Sequence, residues 1–207
     1  MNSRNEIINA ACKVFSELGF RGCTTRRIAD AAGVNEVTIF RQFGSKEALI
    51  REAMKLTHSV GLAPLPDVPS DPDRELTLWS QSFIQHLRLR SSIIRKTMSE
   101  MEERPELCEC ASYVPRQAST QLCHYLTALK QQGRTAEKFE LKTAAAMLMG
   151  AIFADAMGRE MMPDVYPQPA EKAAQMYTRL LLKALGVENG APRPTTKQTK
   201  RAKELSA

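Results

Sequence analysis

The chain has 207 residues, 43% of them apolar, with a formal net charge of +6 at pH 7. That length suits one large or two modest domains, and the apolar share lies above that of disordered chains. The longest apolar run, Ala144 to Ala154, is eleven residues, short of the roughly 20 that span a bilayer, and the first residues lack a signal peptide's apolar block; the expectation is a cytoplasmic protein without a membrane partner. From the N-terminus, Ile7, Ile8, Ala11, Val14, Phe15 and Leu18 recur at helical spacing, and Gly19 follows as a stop. Thr24 or Thr25 can cap a second helix that runs through Ile28, Ala29 and Ala32 to Gly33. Asn35 caps a third containing Val37, Ile39, Phe40 and Phe43. After Gly44, Ser45 caps a fourth that continues through Ala48, Leu49, Ala53 and Leu56.

The stretch GLAPLPDVPSDPD then places four prolines in thirteen residues, a boundary signal that separates a domain over 1–61 from one over 62–187. Longer helical patterns follow at roughly 73–99, 112–131, 136–160 and 168–185, the first of them able to break in two. No strand pattern competes, so the fold class is all-α. The tail, 188–207, has almost no apolar content and reads as basic and disordered. Positive charge is concentrated at the ends. Residues 1–61 carry nine Lys and Arg against six Asp and Glu, 62–187 carry fifteen of each, and 188–207 carry five against two. A basic excess suits a polyanion partner, because neutralising phosphates releases condensed counterions.

The second and third helices are too short to be stable alone and need tertiary support, which the first helix can supply. Ala29 and Gly33 have the spacing of a tight helical turn: a small side chain where helices approach, then a residue tolerant of positive φ. Such a pair can set one helix across a DNA backbone and the other in the major groove.

The run TTRRIADAAGVNEVTIFRQFGSKEALI resembles the DNA-binding domain of the TetR (tetracycline-repressor) family of bacterial regulators. The likeness covers about residues 5–55, with the helix-turn-helix motif at about 24–43. It implies a homodimer in which each subunit joins an N-terminal three-helix DNA-binding domain to a C-terminal helical domain for ligand binding and dimerisation. The partners implied are a pseudo-palindromic double-stranded operator, a second copy of the chain, and a small-molecule effector of unknown identity. Thr24 and Thr25 suit phosphate oxygens at a helix N-terminus; Arg26 and Arg27 are phosphate candidates or solvated surface residues. Asn35, Glu36, Val37 and Thr38 open the reading helix, with Thr38 able to bond a base and Val37 to touch a thymine methyl. Arg41 and Gln42 can reach bases or backbone, and Lys46 matches a phosphate contact of the family. Three positions depart from the pattern. Phe40 stands where Tyr is frequent, Val37 where a small residue is, and Glu36 brings a carboxylate near the groove. For Phe40 and Phe43, core packing is the reading their apolar rings favour.

Farther on, Ala146, Gly150, Ala154 and Gly158 form a smooth ridge that packs either inside the subunit or, with Tyr177 and Leu181, across a two-fold four-helix seam; the family resemblance favours the seam. Trp79, Phe83, Leu87, Met98, Tyr113, Leu122, Tyr125 and Leu126 can line an apolar effector cavity, and equally can form an ordinary core. Cys108, Cys110, Cys123 and His124 match no common zinc spacing, and five cysteines do not make a disulfide framework. No cofactor or metal is expected. G-x-S-x-G, H-E-x-x-H, P-loop and dinucleotide patterns are missing from the sequence, so the reading is a regulator and not an enzyme: a ligand-responsive repressor, with an activator of the same fold or a protein-binding adaptor as alternatives.

Overall fold

The structure, a computed structural model, describes residues 3–57, 62–136 and 139–187; the tail expected to be disordered lies outside them. The elements are α1 (Ser3–Gly22), α2 (Thr25–Ala32), α3 (Glu36–Phe43), α4 (Lys46–Thr57), α5 (Pro72–Leu89), α6 (Ser91–Glu100), α7 (Glu106–Ala111), α8 (Tyr113–Gln131), α9 (Leu141–Gly158) and α10 (Ala173–Ala184), with 3-10 turns at Pro163–Val165 and Ala170–Lys172. No strand occurs among the described residues. The 73–99 pattern does break, at Arg90 between α5 and α6. The sequence reading missed α7, whose six residues are too few to display a helical period. It also started α9 early: the Glu140 side chain accepts from the backbone N–H groups of Lys142 and Thr143, which fixes the first turn at Leu141.

Contacts divide the chain into two compact units, one within Met1–Gly61 and Leu87–Arg116, the other within Leu62–His86 and Gln117–Ala207. Residues 87–116, which the sequence pattern assigns to the C-terminal domain, thus pack with the N-terminal helices: α6 lies on α1, and α7 on α4. The core of this first unit is built from Ile7, Ala11 and Phe15 of α1, Ile28 and Ala29 of α2, Ile39 and Phe43 of α3, Leu49, Ile50 and Ala53 of α4, and Leu107 of α7. Helices of eight residues gain their stability from such burial, at roughly 25 cal/mol per Å2 of apolar surface removed from water. Burial pushes the Cys12 and Cys23 thiols up to about 11, which keeps them protonated and unreactive at neutral pH.

The second unit is centred on Trp79, Phe83, Leu122, Tyr125, Leu126 and Leu129, all at most 2% exposed. Several of its buried polar groups are paired. The Ser80 and Thr178 hydroxyls lie 2.9 Å apart, and Trp79 Nε1 donates to Gln121 Oε1 at 3.2 Å. Asp155, fully buried, accepts from Nε and Nη2 of Arg159 and from the Tyr177 hydroxyl. A charge removed from water in this way needs such partners. By length and composition alone α9 could cross a bilayer, yet its Asp155 and much of one side are packed inside this unit.

Candidate nucleic-acid interface

Local chemistry sets the geometry of α2 and α3. Thr24, rather than Thr25, caps α2, its hydroxyl accepting from the Arg27 N–H at 3.3 Å. At the other end Gly33 has φ 65°, the left-handed region that glycine enters freely, and the Val34 N–H returns to the Ala29 carbonyl at 3.0 Å. A Cβ at Gly33 would meet nothing within 4 Å, so backbone conformation, not crowding, calls for glycine. Asn35 Oδ1 accepts from the Val37 N–H at 2.9 Å to open α3, Gly44 ends it at φ 78°, and Ser45 Oγ accepts from the Ala48 N–H to start α4.

The result is a short helix, α3, with two distinct sides. Ile39 is fully buried and Phe43 nearly so, while Val37 is 70% and Phe40 49% exposed. Asn35 and Arg41 are exposed; Glu36, Thr38 and Gln42 are half-buried. Arg4 stacks 4.5 Å over the Phe43 ring and pairs with Glu52, bracing the end of α3 against α1 and α4. Core packing therefore describes Phe43 but not Phe40. Ile39 and Phe43, four apart, define the inward side, and a 100° step from Ile39 turns Phe40 outward.

Several of the other side chains near the expected phosphate contacts are held within the protein. Thr25 donates its hydroxyl to Glu36 Oε1 at 2.5 Å, so the Glu36 carboxylate turns back to α2 instead of standing free in the groove. Arg26 and Arg27 are exposed, with Arg27 Nη1 donating to the Gly22 carbonyl at 3.0 Å. Lys46 Nζ donates to the Phe20 carbonyl at 3.1 Å and sits 3.9 Å over the Phe20 ring.

Phe20 is a junction that the sequence did not reveal. Both Glu100 oxygens accept from its backbone N–H, at 2.9 and 3.0 Å, and Arg104 lies 3.8 Å over its ring. The preceding Gly19 has φ 68°, which breaks α1 there, and a Cβ on it would collide with the side chains of Glu100 and Lys96. Glu100 and Arg104 lie some eighty residues away in the sequence, and no local signal ties them to Phe20. Through them the end of α6 and the turn after it hold the end of α1 and the start of α4.

The residues expected to line a cavity or a seam separate into inner and outer sets. Trp79, Phe83, Leu87, Leu122, Tyr125 and Leu126 are buried, whereas Met98 is 53% and Tyr113 45% exposed on the first unit. An open groove of about 550 Å3 is lined by α1 and α2, including Glu6, Lys13 and Glu17. On the ridge, Ala146, Gly150 and Ala154 are exposed, but Gly158 is buried against the Tyr166 ring. Leu181 is buried and Tyr177 bonds Asp155; Leu180, at 68%, is the leucine that α10 exposes. Cys108 is exposed and Cys123 half-buried, the Cys110 side chain lies outside the described residues, and no group of three metal-ligating side chains occurs among the described residues. His86 is buried, and His124 Nε2 lies 3.4 Å from Asp67.

The chain is similar to known transcriptional regulators. The sequence profile described as "Bacterial regulatory proteins, tetR family" matches residues 7–53, the span of α1 to α4 described above. The HTH-type transcriptional regulator YvkB of Bacillus subtilis is 27% identical over 190 residues, which cover 90% of this chain and 98% of that protein. The HTH-type transcriptional repressor AcnR of Corynebacterium efficiens is 39% identical over 83 residues, 36% of this chain and 44% of AcnR. Among solved structures, the transcriptional regulator FadR of Bacillus subtilis, in complex with stearoyl-CoA, superposes with a TM-score of 0.65 at 21% identity, covering 89% of this chain and 99% of that one. The fold, the turn at Gly33 with its two-sided α3, and these likenesses together give residues 7–53 the DNA-binding domain of the tetR family of bacterial regulatory proteins and make the chain a DNA-binding transcriptional regulator.

Proposed function

We propose that the chain is a ligand-responsive repressor that acts as a homodimer, its two α3 helices entering successive major grooves of a pseudo-palindromic operator with half-sites about 34–36 Å apart or wider. The observation that carries this reading is the outward side of α3. Val37, Phe40 and Arg41 are exposed beside the half-buried Thr38 and Gln42. Thr38 and Arg41 present hydrogen-bonding groups to base edges, and Val37 and Phe40 present apolar surface to thymine methyls. Arg26, exposed on α2, supplies a sequence-independent phosphate contact.

Repression is supported by the AcnR relative, a repressor by name. The dimer seam is the exposed side of α9 and α10, where Ala146, Met147, Gly150, Ala154, Met176 and Leu180 leave an apolar surface uncovered in one chain. The second unit takes the effector, and its ligand must bind the non-DNA geometry more tightly than the DNA-bound one, since otherwise no population shifts. The chain joins the units at residues 61–62, 86–87 and 116–117, so a rearrangement in the second can reach α6 through the backbone. Recovering genomic fragments with the tagged protein tests the reading: the expected outcome is a shared palindromic sequence upstream of a small set of genes. Fragments with no common sequence would reject it.

A further inference from the structure

Thr25 and Glu36 are each the first residue of their helix, α2 and α3, and their side chains meet across the turn. α2 has no acidic residue in its own first turn, while α3 has Glu36. One carboxylate therefore faces the N-terminal end of α3 directly and that of α2 through the Thr25 hydroxyl. Both ends carry partial positive charge from unpaired N–H groups. This is also the charge and position that suit a DNA phosphate.

We propose that Glu36 is a specificity-determining residue of the reading head, an inference that rests on the DNA-binding reading above. Glu36 acts in two separable ways. Its bond to Thr25 ties the first turn of α3 to α2, which fixes the direction in which the neighbouring Val37 and Thr38 meet base edges. That effect is felt only on a duplex whose bases they fit. Its negative charge, placed where phosphates approach, weakens binding to every duplex alike, because the phosphate term carries no sequence information. Both effects raise the ratio of matched to unmatched affinity or leave it intact, so a carboxylate that looks unfavourable beside DNA is retained with a function.

The test uses the full chain and two duplexes: one selected by the wild-type protein from a random-sequence pool, and a scrambled duplex of the same composition. Glu36→Gln keeps an acceptor for Thr25 and removes the charge. Both duplexes should bind several-fold tighter, with their affinity ratio unchanged within about twofold. Glu36→Ala removes tie and charge together; the scrambled duplex should gain as much as with Gln, while the ratio falls roughly fivefold to tenfold. Thr25→Val keeps the charge and removes the tie, so the ratio should fall with scrambled binding unchanged, and Thr25→Ser should restore it. If Glu36→Ala does not fold by its melting transition, the Gln, Val and Ser variants decide alone. An affinity ratio equal to wild type in Thr25→Val overturns the assignment. So does a Thr25→Val protein that loses both duplexes equally, which would put the hydroxyl on a phosphate. A pool that yields no consensus rejects the regulator reading itself and this assignment with it.

Discussion

Helix α3 buries Ile39 and Phe43 and exposes Val37, Phe40 and Arg41, whereas α9 buries Ala144, Leu148 and Ile152 and exposes Ala146, Met147, Gly150 and Ala154. The first helix is short and presents a mixed edge in which a guanidinium, a hydroxyl and an amide stand beside apolar side chains. The second is eighteen residues long and almost wholly apolar down to Asp155. A mixed polar edge suits a hydrated, charged surface such as a duplex. A side made of methyl groups and bare glycine backbone suits another apolar helix. Two surfaces exposed in the same chain thus call for different partners, and burial alone would not distinguish them.

The surface on α9 depends on a firm interior behind it, and the largest expected effect strikes that support. Trp79→Ala should lower stability by about 3–5 kcal/mol in urea unfolding, as truncation of a fully buried aromatic does. A loss below about 1 kcal/mol would mean that Trp79 borders space able to collapse, and would favour the cavity reading over the core reading. Next comes the seam. Gly150→Leu adds a side chain where a Cβ meets nothing within 4 Å, so within one chain it has room and improves helix propensity by about 1 kcal/mol. At a close helix–helix seam the same change should split the dimer in sedimentation runs and reduce operator affinity by at least about tenfold, or 1.4 kcal/mol. A variant that sediments like wild type would move the seam off α9.

On the reading helix the expected effect is smaller and touches binding alone. Arg41→Ala should leave the melting temperature within about a degree, since a surface change away from the core is usually within ±0.5 kcal/mol. The matched operator should lose about 1–3 kcal/mol of affinity, with the loss confined to one position of the sequence if Arg41 reads a base. An equal loss on all DNA would assign it to phosphate instead. The smallest effect is one of pH in the second unit. Burial pushes the Glu75 carboxyl up, but hydrogen bonds from the Asp71 and Ser70 N–H groups, the Ser70 hydroxyl and the Tyr125 hydroxyl outweigh it and hold the group below its usual value. A depressed carboxyl contributes stability above the ordinary carboxylate range and loses it as pH falls through the folded value. Glu75→Gln should therefore melt below wild type at pH 7, and the gap should close on acidification; a gap constant with pH would show that charge is not involved.

The parts of the fold that could be read in advance are those fixed within a few residues. Asn35, Gly33, Gly44 and Ser45 act on their immediate neighbours, and the structure shows each doing so. Phe40 is legible by angle but not by residue type: its neighbour Ile39 and the later Phe43 already define the inward side. The bond between Thr25 and Glu36 spans only eleven residues, yet it needs the crossing of two helices to bring the side chains together. Lys46 shows the same limit. The motif marks it as a phosphate ligand, while its ammonium rests on the Phe20 carbonyl and ring.

By itself the sequence determined the all-α class, the turn at Gly33 and the caps around it. These follow from local hydrogen bonding, from the φ freedom of glycine and from the 3.6-residue period, all of which are written in neighbouring letters. The tertiary structure alone decided that residues 87–116 pack with α1 and α4, that Glu100 holds the Phe20 N–H, and that Leu180 rather than Leu181 faces outward. Each of these is a meeting of groups far apart in the chain or a small rotation of a helix about its axis. Such outcomes are set by how whole surfaces fit together, which no short stretch of residues encodes.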